Sequence, residues 1–288
     1  MAEKPTTAAG YTPEQVARVK AACLYLATKL GDLMPEMVVV GGLVPSLLID
    51  QEHLPADAPL HVGTMDLDVG LAFAVLNQER YKQIEERLRL AGFKPDTNSE
   101  GNPTRQRWRI SEPPVTVDFL IEPAPDAEAN AGRVFRLTKD LAAIIAPGLH
   151  LAFQNSRSVK LRGRTIIGEN VAAGREIRVC GAGAFVILKA LALRLRGESK
   201  DAYDLYYMLR NYGEGVSDLT HELRPLLNDA SAQAGLRYLA EDFADLDSVG
   251  PRRAADFLHG GPNEQLQADA AGFVAQLLAE LERVGGKN

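Results

Sequence analysis

Asp66 and Asp68, in the run Thr64-Met65-Asp66-Leu67-Asp68-Val69, are the residues of this chain best placed to do chemistry. On a β-strand, side chains at i and i+2 point to the same face. Two carboxylates held that close repel each other, and a divalent cation bound by their oxygens relieves the repulsion. Upstream, Val38-Val39-Val40 stops on Gly41-Gly42. A Gly-Gly turn lets backbone N–H groups approach a phosphate with no Cβ in the way. Turn and carboxylate pair together are the equipment of Mg²⁺-dependent phosphoryl or nucleotidyl transfer; the pair alone would also suit a calcium site.

A third carboxylate, Asp118, interrupts the apolar run Val115–Ile121. A charge there is costly unless it is paired or bound to a metal. Alone it reads as a salt-bridged strand residue. With Asp66 and Asp68 it completes a set suited to a two-metal centre. Further on, Lys189 lies in an otherwise apolar helix, either snorkelling to water or reaching a phosphate as a point charge. Lys200, Asp201 and Asp204 open the next helix. Carboxylates in a first turn are ordinary partners of the helix dipole, and Asp201 and Asp204 also share one face.

The elements that must position these residues follow from spacing. Thr12 is a fitting N-cap, with Pro13 in the first turn and Gln15 completing a capping box. Val16, Val19, Cys23, Leu26 and Leu30 recur at helical spacing up to Gly31. Residues 1–10 read as a disordered leader. Met37–Val40 reads as a strand and 42–48 as a helix start that tolerates Pro45. A polar loop over 51–63, bearing Pro55 and Pro59, precedes the Asp66 strand. A helix over 77–90 packs Tyr81, Ile84, Leu88 and Ala91 on one face, and 105–110 with Val115–Ile121 reads as a hairpin about Glu112-Pro113-Pro114. A surface loop with Pro123 and Pro125 spans 122–131. Short strands at 159–168 and 176–179 surround a Gly turn. Helices are expected at 183–196 and 199–211, with three or four more to Val284. The fold class is therefore α/β (α+β), a mixed sheet with helices packed on it and a C-terminal helical bundle. The core is assigned to 1–145, and a strand-containing linker with the helical domain to 146–288; the break falls between 140 and 182.

With 288 residues, 46% of them hydrophobic and 24% charged, the chain has the composition of a soluble globular protein. Its apolar runs are too short or interrupted to span a bilayer, and residues 1–10 lack the order of a signal peptide. Cys23 and Cys180 give neither a disulfide framework nor zinc spacing, so a reducing cytoplasm and a core role are expected. A net charge of −6 argues against broad nucleic-acid binding. Two basic clusters, Arg105/Arg107/Arg109 and Arg157/Lys160/Arg162/Arg164, either hold phosphates or line the solvated face of a strand.

Gly41-Gly42-Leu-Val-Pro-Ser46, then Thr64-Met-Asp66-Leu-Asp68, then helical Lys189, then Lys200-Asp201-Ala-Tyr-Asp204-Leu match four motifs in order. Over residues 36–212 the chain resembles the AbiEii-type nucleotidyltransferases, toxin components of type IV toxin–antitoxin systems, in the polymerase-β-like superfamily. The resemblance implies a nucleotidyltransferase core in which Asp66, Asp68, Lys189 and Asp204 are catalytic. It implies Mg²⁺ (or Mn²⁺) on Asp66 and Asp68, with Asp118 as a further ligand, and an NTP as co-substrate. Gly41 and Gly42 would hold the triphosphate, with Ser46, Thr64 and Lys200 also on the nucleotide; Asp204 would orient Lys189 or assist the acceptor. Gly42 stands where the superfamily usually has serine, leaving Ser46 as the hydroxyl. Val62, with His61 beside it, stands where a basic residue often precedes the Asp motif.

The expected partners are an NTP, an RNA acceptor such as a tRNA 3′ end, and an antitoxin protein encoded nearby, with no membrane. One alternative is a small-molecule acceptor such as an aminoglycoside, bound by an acidic pocket of Asp118, Asp201 and Asp204. Another is a non-catalytic protein that binds a partner.

Overall fold

The computed structural model describes residues 4–54, 59–72, 78–112, 114–122, 131–167 and 172–285. The expectations for residues 1–3, Pro55, Asn77, Pro113, Pro123, Pro125 and Gly168 lie outside the described residues. The chain divides into two compact units. Unit 1 holds Met1–Lys4, Thr12–Val44 and Gly63–Cys180; unit 2 holds Pro5–Tyr11, Pro45–Val62 and Gly181–Asn288.

Unit 1 is built on a mixed sheet. Its strands are β1 (Met37–Val40), β2 (Asp66–Leu71), β3 (Lys94–Thr97), β4 (Pro103–Ile110), β5 (Val115–Ile121), β6 (Val134–Arg136), β7 (Ala142–Ile145), β8 (Ser156–Arg164) and β9 (Ala172–Cys180). The order across the sheet is β3-β4-β5-β2-β1-β9-β8, with β7 paired to β5 and β6 to β7. β2 runs antiparallel to β1 and parallel to β5, and β9 joins β1 in parallel through Val39 and Val179. All four residues of β1 are buried, as a strand covered on both faces requires.

Helix α1 (Pro13–Leu30) starts on the Thr12–Gln15 capping box and ends at Gly31, whose φ of 55° suits a glycine stop. Its Val19, Cys23, Leu26 and Leu30 are buried, and the helix packs on β8, β9 and β2. After α2 (Val44–Leu48), which a 3-10 turn over Gly41–Leu43 leads into, come α3 (Gln78–Leu90) and the short α4 (His150–Gln154). Tyr81, Ile84, Leu88 and Ala91 are buried as the spacing predicts. Both cysteines are free and buried.

Two expectations are corrected and a third is narrowed. Residues 4–10 are not a disordered leader: Lys4 pairs with Asp66, and Ala8–Gly10 form a 3-10 turn. The strands expected at 159–168 and 176–179 are the nine-residue β8 and β9, extended by cross-strand pairing from Ser156–Cys180 to Arg164–Ala172. The assignment of 146–180 to the second part of the chain is narrowed: the division at Cys180–Gly181 falls inside the expected 140–182 window, and this segment lies in unit 1, where β9 hydrogen-bonds to β1.

Unit 2 is helical. It contains α5 (Ala182–Arg196), α6 (Ser199–Asn211), α7 (Val216–Leu223), α8 (Ala230–Asp242), α9 (Val249–His259) and α10 (Glu264–Gly285). Helix α5 packs on α6, α7 and α8, and α9 on α6 and α10. Gly197, at a left-handed φ of 66°, closes α5 and separates it from α6. No helix among the described residues is long and apolar enough to cross a membrane.

Candidate active site

In unit 1 the register sets the carboxylates side by side. Asp68 of β2 stands opposite Asp118 of β5, and Asp66 lies two residues before Asp68 on the same face. Among the described residues Asp66, Asp68 and Asp118 form one candidate metal-holding group, with one ligand oxygen from each within 4.8 Å of the others. Asp66 and Asp118 are buried and Asp68 is half-buried. Thr64 Oγ1 donates to Asp66 Oδ1 at 2.9 Å and so fixes the plane of that carboxylate.

Gly41 closes the other side. Its φ is 71°, and a Cβ built on it would lie 2.0 Å from Asp68 Oδ2. Only glycine gives both the left-handed turn and the room for the carboxylate to lie against the backbone.

Two cationic side chains stand against this acidic group. Arg107 of β4 donates to Asp118 from Nε to Oδ1 at 2.7 Å and from Nη2 to Oδ2 at 2.5 Å. Its Nη2 is also 3.6 Å from Asp66 Oδ2, which Lys4 Nζ approaches to 2.5 Å. Burial works to raise the Asp66 pKa, but Lys4 and Arg107 hold it below the usual carboxylate range. The residues fit a hard divalent cation in that all donors are oxygens and they converge, three carboxylates against two cations; Lys4 and Arg107 occupy the place a bound cation's charge would take. Asp118 would take part through the lone pairs its fork with Arg107 leaves over.

Unit 2 gathers the remaining expected residues around Asp204, which is fully buried. Lys189 Nζ donates to Asp204 Oδ2 at 2.6 Å and to Asp201 Oδ1 at 2.8 Å. Lys200 Nζ reaches both Asp204 oxygens at 2.8 and 3.0 Å, and Arg196 forks onto Asp201 at 2.7 and 2.8 Å. His61 Nε2 lies 3.0 Å from Asp204 Oδ1, and its Nδ1 lies 3.2 Å from Ser46 Oγ. The imidazole stacks on Tyr203 at 5.5 Å between centroids, with Tyr207 tilted against it at 4.8 Å. Burial would lower the Lys189 pKa, yet Asp201 and Asp204 raise it, so it stays charged. Asp204 is held well below the carboxylate range by Lys189, Lys200 and His61, against the upward push of burial.

This arrangement corrects two readings. Lys189 does not snorkel: it is a buried ion-pair hub with one of its three donors left for another acceptor. The acidic pocket expected of Asp118, Asp201 and Asp204 is absent from these side chains as a source of free negative charge, since each is matched by Arg107, Arg196 or a lysine. Three cations against two carboxylates leave the Asp204 cluster positive with His61 neutral.

No protein-family model and no curated protein matches this chain. The site therefore rests on its own residues.

Four of these residues were missed as site members by sequence reasoning: Lys4, His61, Arg107 and Arg196. Arg107 had a usable signal. In a β4–β5 hairpin that pairs Ile110 with Val115, counting back pairs Arg107 with Asp118. His61 stood out only by its place beside Val62, ahead of the Asp motif; its pairing with Asp204, 143 residues away, had no signal.

Proposed function

We propose that this protein is a Mg²⁺-dependent nucleotidyltransferase that moves a nucleotide from an NTP to an RNA acceptor, such as a tRNA 3′ end. The observation that carries the reading is the convergence of Asp66, Asp68 and Asp118 beside the Gly41 turn. In the reaction an acceptor hydroxyl attacks the α-phosphorus in line, and the bond to pyrophosphate breaks. Asp66, Asp68 and Asp118 would hold Mg²⁺, whose charge would polarise the α-phosphate and neutralise the departing pyrophosphate. Thr64 keeps Asp66 oriented, and Arg107 holds Asp118 in place through two hydrogen bonds. The Gly41-Gly42 turn would take the triphosphate on its backbone. Within unit 2, Asp204 positions Lys189 and Lys200, and in this reading their positive charge would serve a phosphate.

The test is NTP-dependent labelling, with each labelled NTP in turn, of total RNA, protein and aminoglycosides by wild type and Asp66→Asn. RNA labelled by wild type and a loss of at least about 100-fold in the variant is the expected result. Equal labelling by both would remove the catalytic assignment; labelling of aminoglycosides alone would move the acceptor to a small molecule. A toxin role under an antitoxin partner follows from the family resemblance. It predicts growth arrest on induction of wild type and none with Asp66→Asn.

A further inference from the structure

The two basic runs of the sequence meet different fates in the fold. In β4, Arg107 is bound to Asp118 and Arg109 lies 3.3 Å from Asp96, so both are charge-balanced. The β8–β9 hairpin is otherwise. Val159, Leu161, Ile177 and Val179 are half-buried or buried, and α1 packs on these two strands. Alternation turns Ser158, Lys160, Arg162 and Arg164 to the opposite face, and the register adds Arg178 beside Ser158. All four cations are exposed, and none makes an ion pair among the described residues. The one carboxylate of β9 on that face, Glu176, stands opposite Lys160 in the register and accepts from the Ser158 hydroxyl at 2.5 Å, so four cations face one anion.

Positive charge on a strand at the sheet edge discourages edge-to-edge pairing, which would explain β8 alone. Arg178 is on β9, an interior strand hydrogen-bonded on both sides, so edge protection does not account for it. Lys160, Arg162 and Arg164 are spaced two residues apart, about 6.6–6.8 Å per step on a strand, comparable with the distance between successive phosphates of one nucleic-acid strand. A row of unpaired cations at that interval suits a polyanion backbone, in a protein whose net charge is −6. Among the described residues, none of the exposed large apolar side chains lies on β8 or β9. The described residues of the two strands therefore offer a membrane surface no apolar anchor and bases no stacking platform.

We propose that this face of the β8–β9 hairpin docks the phosphodiester backbone of the RNA acceptor, independently of base sequence. The choice of RNA rests on the nucleotidyl-transfer reading; the choice of a phosphodiester backbone rests on the hairpin itself. Its contacts are charge–charge contacts that position the strand and read no bases.

Fluorescence anisotropy of the full chain with labelled tRNA, across a salt series, tests it. Lys160, Arg162 and Arg164 changed together to Gln should weaken binding at least about tenfold at low salt. The same variant should flatten the slope of log affinity against log salt by about two to three. A control with the same charge change, Lys29, Lys82 and Lys94 to Gln, should bind within about twofold of wild type, as should Arg162→Lys/Arg164→Lys, which keeps the charges. Circular dichroism of each variant confirms folding.

Equal binding by the triple variant, an equal loss in the control, or wild type that binds phosphatidylserine vesicles but not tRNA would each overturn the proposal. So would single-stranded DNA that binds more tightly than RNA of the same sequence. Asp66→Asn should bind tRNA as wild type does. If wild type binds through the hairpin but never labels RNA, only the catalytic reading fails. If the triple variant labels RNA with an unchanged KM, only the docking surface fails.

Discussion

His61 sits in the Asp204 cluster as a neutral ring. Burial pushes its pKa from the ordinary 6.5 down to about 4, against the opposing pull of Asp204, with Lys200 and Lys189 adding to the depression. In that state Nε2–H donates to Asp204 and Nδ1 accepts the Ser46 hydroxyl, one tautomer satisfying both bonds. An unfolded chain protonates this histidine near 6.5 and the folded one near 4. Between those values the unfolded state binds more protons, so stability is lost as pH falls. The loss amounts to about 3 kcal/mol over the window. Urea unfolding at pH 7, 5.5 and 4.5 should show it in wild type, while His61→Gln should be flatter by about one proton's slope. An unchanged slope in the variant would mean that another group titrates there.

At the scale of elements, the β4–β5 pairing carries a charge balance as well as hydrogen bonds. Removing the guanidinium with Arg107→Gln leaves Asp118 buried beside Asp66 without its main counter-charge. Because the arginine side chain is part exposed, the expected loss is about 2 kcal/mol, below the cost of breaking a fully buried pair. Added Mg²⁺ should then raise the Tm of the variant more than that of wild type, since metal charge replaces the lost cation. Equal Mg²⁺ effects on both would mean that the triad does not hold the metal.

These elements also show what was legible beforehand. The α1 capping box, the α3 face and the i, i+2 spacing of Asp66 and Asp68 are local patterns, and each can be read within one element. β3, β6, β7 and α4 had no such pattern. They are three to five residues long, and β3 is the polar Lys-Pro-Asp-Thr, which pairing with β4 alone makes a strand. Their structure is imposed by neighbours rather than by propensity. The same holds for the Asp204 cluster: Lys189 and Asp204 stand out in the sequence, but their union with His61 and Ser46 is tertiary.

For the whole molecule, unit 2 is assembled from three separate stretches of chain, so residues 181–288 are not a self-contained domain. Taken alone they would lack His61 and Ser46 at Asp204, and Tyr11 from its place against Phe257 at 5.6 Å. The isolated fragment 181–288 is expected to lose cooperative melting and amide NMR dispersion, because buried Asp204 and the Tyr203–Tyr207 surface would be uncovered. A sharply melting, well-dispersed fragment would contradict this dependence. The pairing of Val39 with Val179 bears on how the protein is made. The two partners are about 140 residues apart on the chain, so β1 leaves the ribosome long before β9 exists. At roughly 5–20 residues per second that interval lasts about 7–28 s. Throughout it the nascent sheet has an open, wholly apolar edge at β1, and for those seconds this protein should depend most on a chaperone.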